Sequence, residues 1–273
     1  MSGFTVSSTV EAVAIGNFDG MHLGHQALFE QAGTEGGIVV IEHYRATLTP
    51  HIYRARFTDL PVFFYDFDRI RDMSPEVFLE KLRFDFPSLR RIVVGEDFLF
   101  GAGRSGNVAM LERLFDGEVI AVPEVKLKEA PVHSRFIRLH IEKGEIETAN
   151  AMLGHPYEIW GEAVAGQGIG KEKLVPTINL ETSRFLLPKA GVYETQTCIG
   201  STCYPSVTFV GHRETTDGSF ALETHLIDHE IGEVKEKISI KWFHRLRENR
   251  KFDTLAALKR QIEKDIEAIR EKR

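Results

Sequence analysis

Two histidines three residues apart, His22 and His25, stand in the segment Gly16-Asn17-Phe18-Asp19-Gly20-Met21-His22-Leu23-Gly24-His25. On a helix that spacing puts both imidazoles on one face. The segment follows the apolar run Val13-Ala14-Ile15 and leads into a helical pattern over residues 22–32. A strand, a glycine turn and a helix N-terminus in that order offer an anion close backbone, free N–H groups and a partial positive charge. Two imidazole donors there can stabilise charge that develops on a phosphoryl group. Zinc is the rival use of a histidine pair, but the third ligand and the general-base Glu of H-E-x-x-H are missing from the motif.

A second group lies in Gly166-Gln167-Gly168-Ile169-Gly170-Lys171-Glu172-Lys173-Leu174-Val175-Pro176-Thr177-Ile178-Asn179. It lacks the G-x-x-x-x-G-K-[ST] spacing of a Walker A loop. A flexible loop carrying Lys171 can still fold over phosphates. Thr177 and Asn179 are two apart, so on a strand they point the same way. Their oxygens can share a hard cation such as Mg²⁺ with nucleotide phosphates. A glycine-rich hairpin with no ligand is the alternative.

The elements that must hold these groups alternate in the first half. Short apolar runs at Gly37–Ile41, Val62–Tyr65, Arg91–Gly95 and Val119–Val122 are separated by helical stretches. Ser74-Pro75-Glu76 opens one such helix with an N-cap, a first-turn proline and an early acid. This alternation predicts a parallel sheet with crossovers, whose ligands sit at the carboxyl ends of the strands. Helices are expected over 134–153, broken at Gly144. After Gly154-His155-Pro156 the pattern changes to short strands among recurring glycines, including Val192–Cys198, Ser206–Val210, Ala221–Ile227 and Lys237–Trp242. That predicts a small antiparallel barrel or sandwich. A closing helix follows Asp253-Thr254, with Leu255, Leu258, Ile262, Ile266 and Ile269 on one face. Two domains are therefore expected, 1–155 and 156–273.

Charge narrows the partners. Of the formal −6, all falls in residues 1–155, with 22 acids and 16 bases; residues 156–273 carry 18 of each. Neither half is a basic nucleic-acid surface, so an anionic ligand must be held by local donors. No apolar run is long enough for a membrane span, and the N-terminal stretch lacks a secretory pattern. A cytoplasmic location is expected. Cys198 and Cys203, with four residues between them, do not fit C-x-x-C and are expected to be two ordinary thiols.

The Gly16–His25 segment resembles the G-x-F-D-G-x-H-x-G-H signature of the adenylyltransferase half of prokaryotic bifunctional riboflavin kinase/FAD synthetases. The resemblance continues at Val94-Gly95-Glu96-Asp97-Phe98-Leu99-Phe100-Gly101 and Gly103-Arg104-Ser105-Gly106-Asn107, and again in the second half. There the glycine loop is similar to the flavokinase G-x-x-x-G…P-T-x-N pattern, and Leu222-Glu223-Thr224-His225-Leu226 to the strand bearing its base. The family implies a Rossmann-like nucleotidyltransferase domain with a parallel sheet, then an antiparallel β-barrel flavokinase domain with a C-terminal helix. It implies phosphorylation of riboflavin by ATP to FMN, then adenylylation of FMN to FAD with release of pyrophosphate.

By that resemblance His22 and His25 assist attack of the FMN phosphate on the ATP α-phosphate. Gly16, Asn17, Phe18, Asp19 and Gly24 line the ATP pocket, with Ser134, Arg135 and Arg138 at its distal phosphates. Asp97, Phe98 and Phe100 belong to a flavin-side loop; the phenylalanines read equally well as core. In the second half Gly166, Gly170, Lys171 and Thr177 hold ATP, Thr177 and Asn179 hold Mg²⁺, and Glu223 takes the riboflavin 5′-hydroxyl proton. Arg245 and Arg247 lie in a segment that packs near the flavin, or are otherwise a solvated face.

Three stretches depart from the family pattern. His133-Ser134-Arg135-Phe136-Ile137-Arg138 stands for Ser-Ser-Thr-x-Ile-Arg, although His133 and Arg135 can still donate to phosphate. Glu42-His43-Tyr44-Arg45-Ala46 stands for a Pro-His-Pro-like loop. Val210-Gly211-His212-Arg213-Glu214-Thr215 keeps the Gly, Arg and Thr of G-x-R-P-T but has Glu214 for Pro. Two alternatives remain: a riboflavin kinase with an impaired adenylyl half, and a flavin- or nucleotide-binding sensor without turnover. The expected partners are riboflavin, FMN and ATP, without nucleic acid or membrane; self-association is left open.

Overall fold

The computed structural model describes residues 7–43, 46–164, 175–215, 217–229, 232, 234 and 236–272. They form two compact units: the chain up to 45 with 49–134, and 46–48 with the chain from 135 onward.

In the first unit β1 (Ala12–Gly16), α1 (Leu23–Ala32), β2 (Gly36–Glu42), β3 (Val62–Asp66), α2 (Pro75–Asp85), β4 (Arg91–Gly95), α3 (Val108–Leu114) and β5 (Glu118–Val122) follow in sequence. The strands pair in parallel in the order β3-β2-β1-β4-β5. Their runs of Val and Ile suit a sheet buried on both faces. Alternation sends Val13, Ile15, Val39, Ile92 and Val94 to one core with Phe78 and Leu82 of α2. Ala14, Ile38, Val40 and Val93 go to the other, with Leu28 and Phe29 of α1. Helix α2 begins as its sequence predicts, with the Ser74 hydroxyl accepting from the Val77 amide at 3.3 Å and Pro75 in the first turn. The strand order reverses about β1, so the loops after β1 and β4 open at the same carboxyl edge. Those are the Gly16–His22 and Gly95–Phe100 segments.

The second unit holds α4 (Ser134–Lys143) from Arg135 on and α5 (Ile146–Leu153), then β6 (Tyr157–Val164), β7 (Ile178–Glu181), β8 (Gly191–Ile199), β9 (Thr202–His212), β10 (Phe220–Leu226), β11 (Lys237–Arg247) and α6 (Leu255–Arg270). The six strands close into an antiparallel barrel in the order β6-β7-β10-β9-β8-β11. Asn150 ties α5 to the barrel, donating to the Trp242 carbonyl at 2.8 Å and accepting from the Tyr157 amide at 2.7 Å. The barrel carries a belt of buried hydroxyls. Thr195 meets Thr208 at 2.7 Å, Thr197 meets Thr224 at 2.7 Å, and Thr208 donates to Thr224 at 3.0 Å. A hydroxyl can both donate and accept, so these bonds link partners across three strands and support their register.

One sequence expectation is corrected here, and one alternative is removed. Cys198 and Cys203 are not separate thiols; they form a disulfide. The two-residue turn Gly200-Ser201 folds β8 onto β9 so that Cys198 lies opposite Cys203. The charges of Arg245 and Arg247 are not a solvated face, since their side chains are only 17% and 18% exposed. Arg247 forks onto buried Asp265 of α6, with Nε 2.9 Å from Oδ2 and Nη2 2.8 Å from the same oxygen. This bond and the apolar face of Ile262, Ile266 and Ile269 seat α6 on the barrel. Arg245 donates to the Ala190 carbonyl at 2.7 Å. Among the described residues no helix is long and apolar enough to cross a membrane.

Candidate active sites

The first site grows from the end of β1. Gly16 has no Cβ, and one added there would lie 2.9 Å from the Phe18 ring. Phe18 and Met21 have φ of 50° and 48°, and Gly20 has φ of 90°. A loop with two non-glycine residues in the left-handed region stays in place only if its surroundings hold it. Here they do. Asn17 donates from Nδ2 to the Ile41 carbonyl at 2.8 Å. Asp19 Oδ1 accepts from the Thr49 amide at 3.1 Å, and the Asp19 carbonyl accepts from the Ser134 hydroxyl at 2.7 Å. Phe18 is buried, edge-on to His25 at 5.1 Å and to Phe29 at 5.0 Å.

His22 is the N-cap of α1, its Nδ1 accepting from the His25 amide at 3.4 Å. One turn on, the His25 ring stacks on the His22 ring, with centroids 3.4 Å apart and planes 22° apart. Gly24 leaves room for this: a Cβ there would sit 3.1 Å from the His22 ring and 3.4 Å from the Val132 carbonyl. Burial, and then the nearby His22, Arg54 and His133, push the His25 pKa well below its ordinary 6.5. His25 is therefore neutral at physiological pH and offers one ring N–H and one lone pair. His133 meets Glu124 at 2.6 Å, Nε2 to Oε1.

The flavin-side segment divides. Asp97 is exposed. Phe98 is half-buried and stacks on Phe100 at 5.7 Å. Phe100 is 5% exposed and packs in the core beside Phe78, so its ring takes the core alternative. Arg135 and Arg138 fall in the second unit, where Arg138 donates to the Ala46 carbonyl at 2.8 Å.

The second site sits on three barrel strands. Register places Asn179 of β7 opposite Glu223 of β10. Arg213, just past β9, bridges them. Its Nε and Nη2 donate to Glu223 Oε1 at 2.9 Å and 2.5 Å, and Nη2 also donates to Asn179 Oδ1 at 2.9 Å. The Ser219 hydroxyl holds its Nη1 at 2.6 Å. Thr177 is exposed at the entry to β7, and His225 meets the neighbouring Pro176 carbonyl at 2.7 Å. Gly166, Gly170 and Lys171 lie outside the described residues. The donor set around Asn179 suits a hard cation: Thr177 and Asn179 offer neutral oxygens, and the Asn179 carbonyl keeps a lone pair beyond the one Arg213 uses.

Two residues at these sites carried no role in the sequence reading. Arg213 was marked only as a retained residue of its motif. Arg54 belongs to no motif. It is wholly buried, donating from Nη1 to Glu42 Oε2 at 2.7 Å and from Nε to the Phe18 carbonyl at 3.2 Å. No spacing signal could have found it, because it reaches the loop only through the fold.

The family model of FAD synthetase matches residues 5–51 and 56–136, and that of riboflavin kinase matches 153–272. The bifunctional riboflavin kinase/FMN adenylyltransferase of Pseudomonas fluorescens is 29% identical, over 94% of this chain and 91% of its own length. The Escherichia coli K12 protein of that name is 28% identical, over 95% and 91%. A solved Streptococcus pneumoniae structure described as a macrolide-efflux protein superposes with a TM-score of 0.85 at 28% identity, covering 97% of this chain and 95% of that one. The two matches lie in tandem along one chain, and each contains one of the clusters described above. The chain belongs to the bifunctional riboflavin kinase/FMN adenylyltransferase family.

Proposed function

We infer that this chain makes FMN from riboflavin and ATP, and then FAD from FMN and a second ATP. The observation that carries the reading is the tandem match of two family models, each enclosing its own assembled polar cluster. We assign adenylyl transfer to residues 1–155 and phosphoryl transfer to 156–273. The substrates are riboflavin, FMN and ATP, and the cytoplasm is the compartment that supplies them.

In the first half an FMN phosphate oxygen attacks the α-phosphorus of ATP and pyrophosphate leaves. His22 and His25 donate to the phosphoryl oxygens, where charge grows in the transition state. Neutral His25 donates through its one ring N–H. Gly16, Asn17, Asp19 and Gly24 shape the pocket, and Ser134 clasps its loop. Phe18 serves from beneath, as packing for His25. Asp97 and Phe98 receive the flavin.

In the second half Glu223 takes the proton of the riboflavin 5′-hydroxyl, whose oxygen attacks the γ-phosphorus; ADP leaves. Phosphoryl transfer asks mainly for positioning and charge neutralisation. Arg213 aims the Glu223 carboxylate and links it to Asn179. Thr177 and Asn179 would hold Mg²⁺, which neutralises phosphate charge when bound. By their resemblance to the flavokinase loop, Gly166, Gly170 and Lys171 are assigned to ATP binding. Arg245 and Arg247 act on the flavin side indirectly, by seating β11 and α6.

Incubating the protein with riboflavin and Mg²⁺–ATP, then separately with FMN and Mg²⁺–ATP, and separating the products tests this. FMN and FAD are expected from the first mixture and FAD from the second. Absence of both FMN and FAD from the first overturns the kinase assignment, and absence of FAD from both overturns the transferase assignment. The pairing of His133 with Glu124 favours a second reading, a kinase whose adenylyl half is slow. FAD formation at a rate comparable with FMN formation excludes it.

A further inference from the structure

Arg54 stands in a 3-10 turn, His51–Phe57, between β2 and β3. It falls within residues 52–55, which the FAD synthetase model leaves unmatched. Its side chain is 0% exposed. A buried guanidinium is costly unless paired and hydrogen-bonded. This one is paired with Glu42 at the end of β2, and its ion pair is itself covered, with Glu42 5% exposed. Its remaining donor use is specific. Nε holds the carbonyl of Phe18, the residue whose φ of 50° opens the loop and whose ring lies edge-on to His25. Nη2 is buried without a hydrogen-bond partner among the described residues. Replacing a buried ion pair by well-packed apolar residues of similar volume is often neutral for stability. Stability alone therefore does not account for a buried charge at this position.

We propose that the Arg54–Glu42 pair is a positioning element of the adenylyl-transfer site, holding the Phe18 carbonyl so that the loop and the stacked His22–His25 pair keep their working geometry. The proposal rests on the reading that His22 and His25 carry adenylyl transfer. Arg54 touches the loop backbone and not the reacting atoms. Its charge also bears on His25, together with His22 from the same turn and His133 from the segment before α4. The charges facing Arg54 are Glu42 and Asp19.

The test is the double variant Arg54→Met/Glu42→Gln beside Arg54→Lys, assayed for FAD formation from FMN and for FMN formation from riboflavin. A small misplacement of catalytic groups lowers turnover more than substrate binding. The double variant is expected to melt within a few degrees of the parent and to form FMN at the parental rate. Its kcat for FAD formation is expected to fall about 30-fold, with the KM for ATP changed less than about threefold. The lysine variant keeps the charge with a less fitted donor. It is expected to lose only about threefold in kcat at unchanged KM. NMR titration of His25 is expected to move up in the double variant and to stay put in the lysine variant.

FAD formation within twofold of the parent in a folded double variant overturns the proposal. So does a fall matched by an equal fall in folded protein, or a rise in KM with kcat unchanged. Should the double variant not fold, Arg54→Lys decides: an unchanged kcat overturns the proposal, and a threefold loss at unchanged KM and melting temperature upholds it. A parent that makes no FAD at all breaks the underlying reading instead.

Discussion

The two sites do opposite things with water. The histidine site is built inward: His22 is 4% exposed, Phe18 2% and Arg54 0%, and the loop that carries them is held from four directions. The carboxylate site is built outward, with Glu223 and Arg213 about a fifth exposed on the barrel wall. In the first, geometry comes from packing and a strained backbone, and desolvation sets the state of His25. In the second, geometry comes from strand register, and one guanidinium links the groups that matter. A buried site can tune a proton but is sensitive to every packed neighbour. A strand-borne site tolerates change around it but depends on the few side chains that reach across strands.

The contrast can be broken most strongly at Glu223. General-base removal costs roughly 10²–10⁴ in rate. Glu223→Gln is expected to lower riboflavin phosphorylation by about 10³ while leaving FAD formation from supplied FMN unchanged, read on separated products. Loss of both activities in a folded variant would remove the two-site division altogether. His25→Ala is the mirror experiment. Removing one preorganised donor costs about 10²–10³, so FAD formation is expected to fall by about 10² with FMN formation intact.

His25 also gives the comparison a pH arm. Its folded pKa lies below the ordinary 6.5, so the unfolded chain binds the proton more readily. The resulting stability is present above pH 6.5 and is lost as pH falls below it. Melting of the first unit is expected to drop through that window, and to drop less in His25→Ala. An equal drop in both would assign the acid sensitivity elsewhere.

How much of this the sequence carried differs between the sites in the same way. The histidine motif, its strand and its helix were legible because they are contiguous, and spacing on a helix is local information. The parallel sheet was legible from the alternation of Val/Ile runs with helices. The loop's supports were not: Thr49, Ser134 and Arg54 reach it from 30, 115 and 36 residues away. In the barrel, the pairing of Asn179 with Glu223 depends on register between distant strands, which no local pattern states. Strand β6 was not named among the expected strands, although Tyr157 and Ile159 alternate inward.

Arg213 sharpens the contrast from the other side. If register does most of the positioning, removing the guanidinium should cost less than removing the base it aims. Arg213→Ala is expected to lower riboflavin phosphorylation by about 30-fold, and Arg213→Lys by less, since a lysine keeps the charge but not the fork. Steady-state kinetics that put the loss in kcat rather than in the KM for ATP would identify aiming of Glu223. A loss confined to KM would make Arg213 a phosphate ligand instead.

The smallest effect is expected at the disulfide, and the hairpin geometry says why. Cys198 and Cys203 flank a turn whose outer pair is Ile199 and Thr202, so the ladder already brings them face to face before any bond forms. The bond closes a loop of a few residues, for which chain entropy gives about 2 kcal/mol at most, and β8–β9 pairing supplies much of that constraint without it. Reduction, or the Cys198→Ser/Cys203→Ser pair, is therefore expected to cost about 1–2 kcal/mol of barrel stability in denaturant unfolding and to leave both kcat values unchanged. The residues assigned to phosphoryl transfer sit on β7, β10 and the end of β9, whereas the cysteines sit at the opposite end of the β8–β9 hairpin from Arg213. A change in FMN formation on reduction would mean that register at the hairpin tip is transmitted along β9 to Arg213. The strand-borne site would then depend on its surroundings as much as the buried one does.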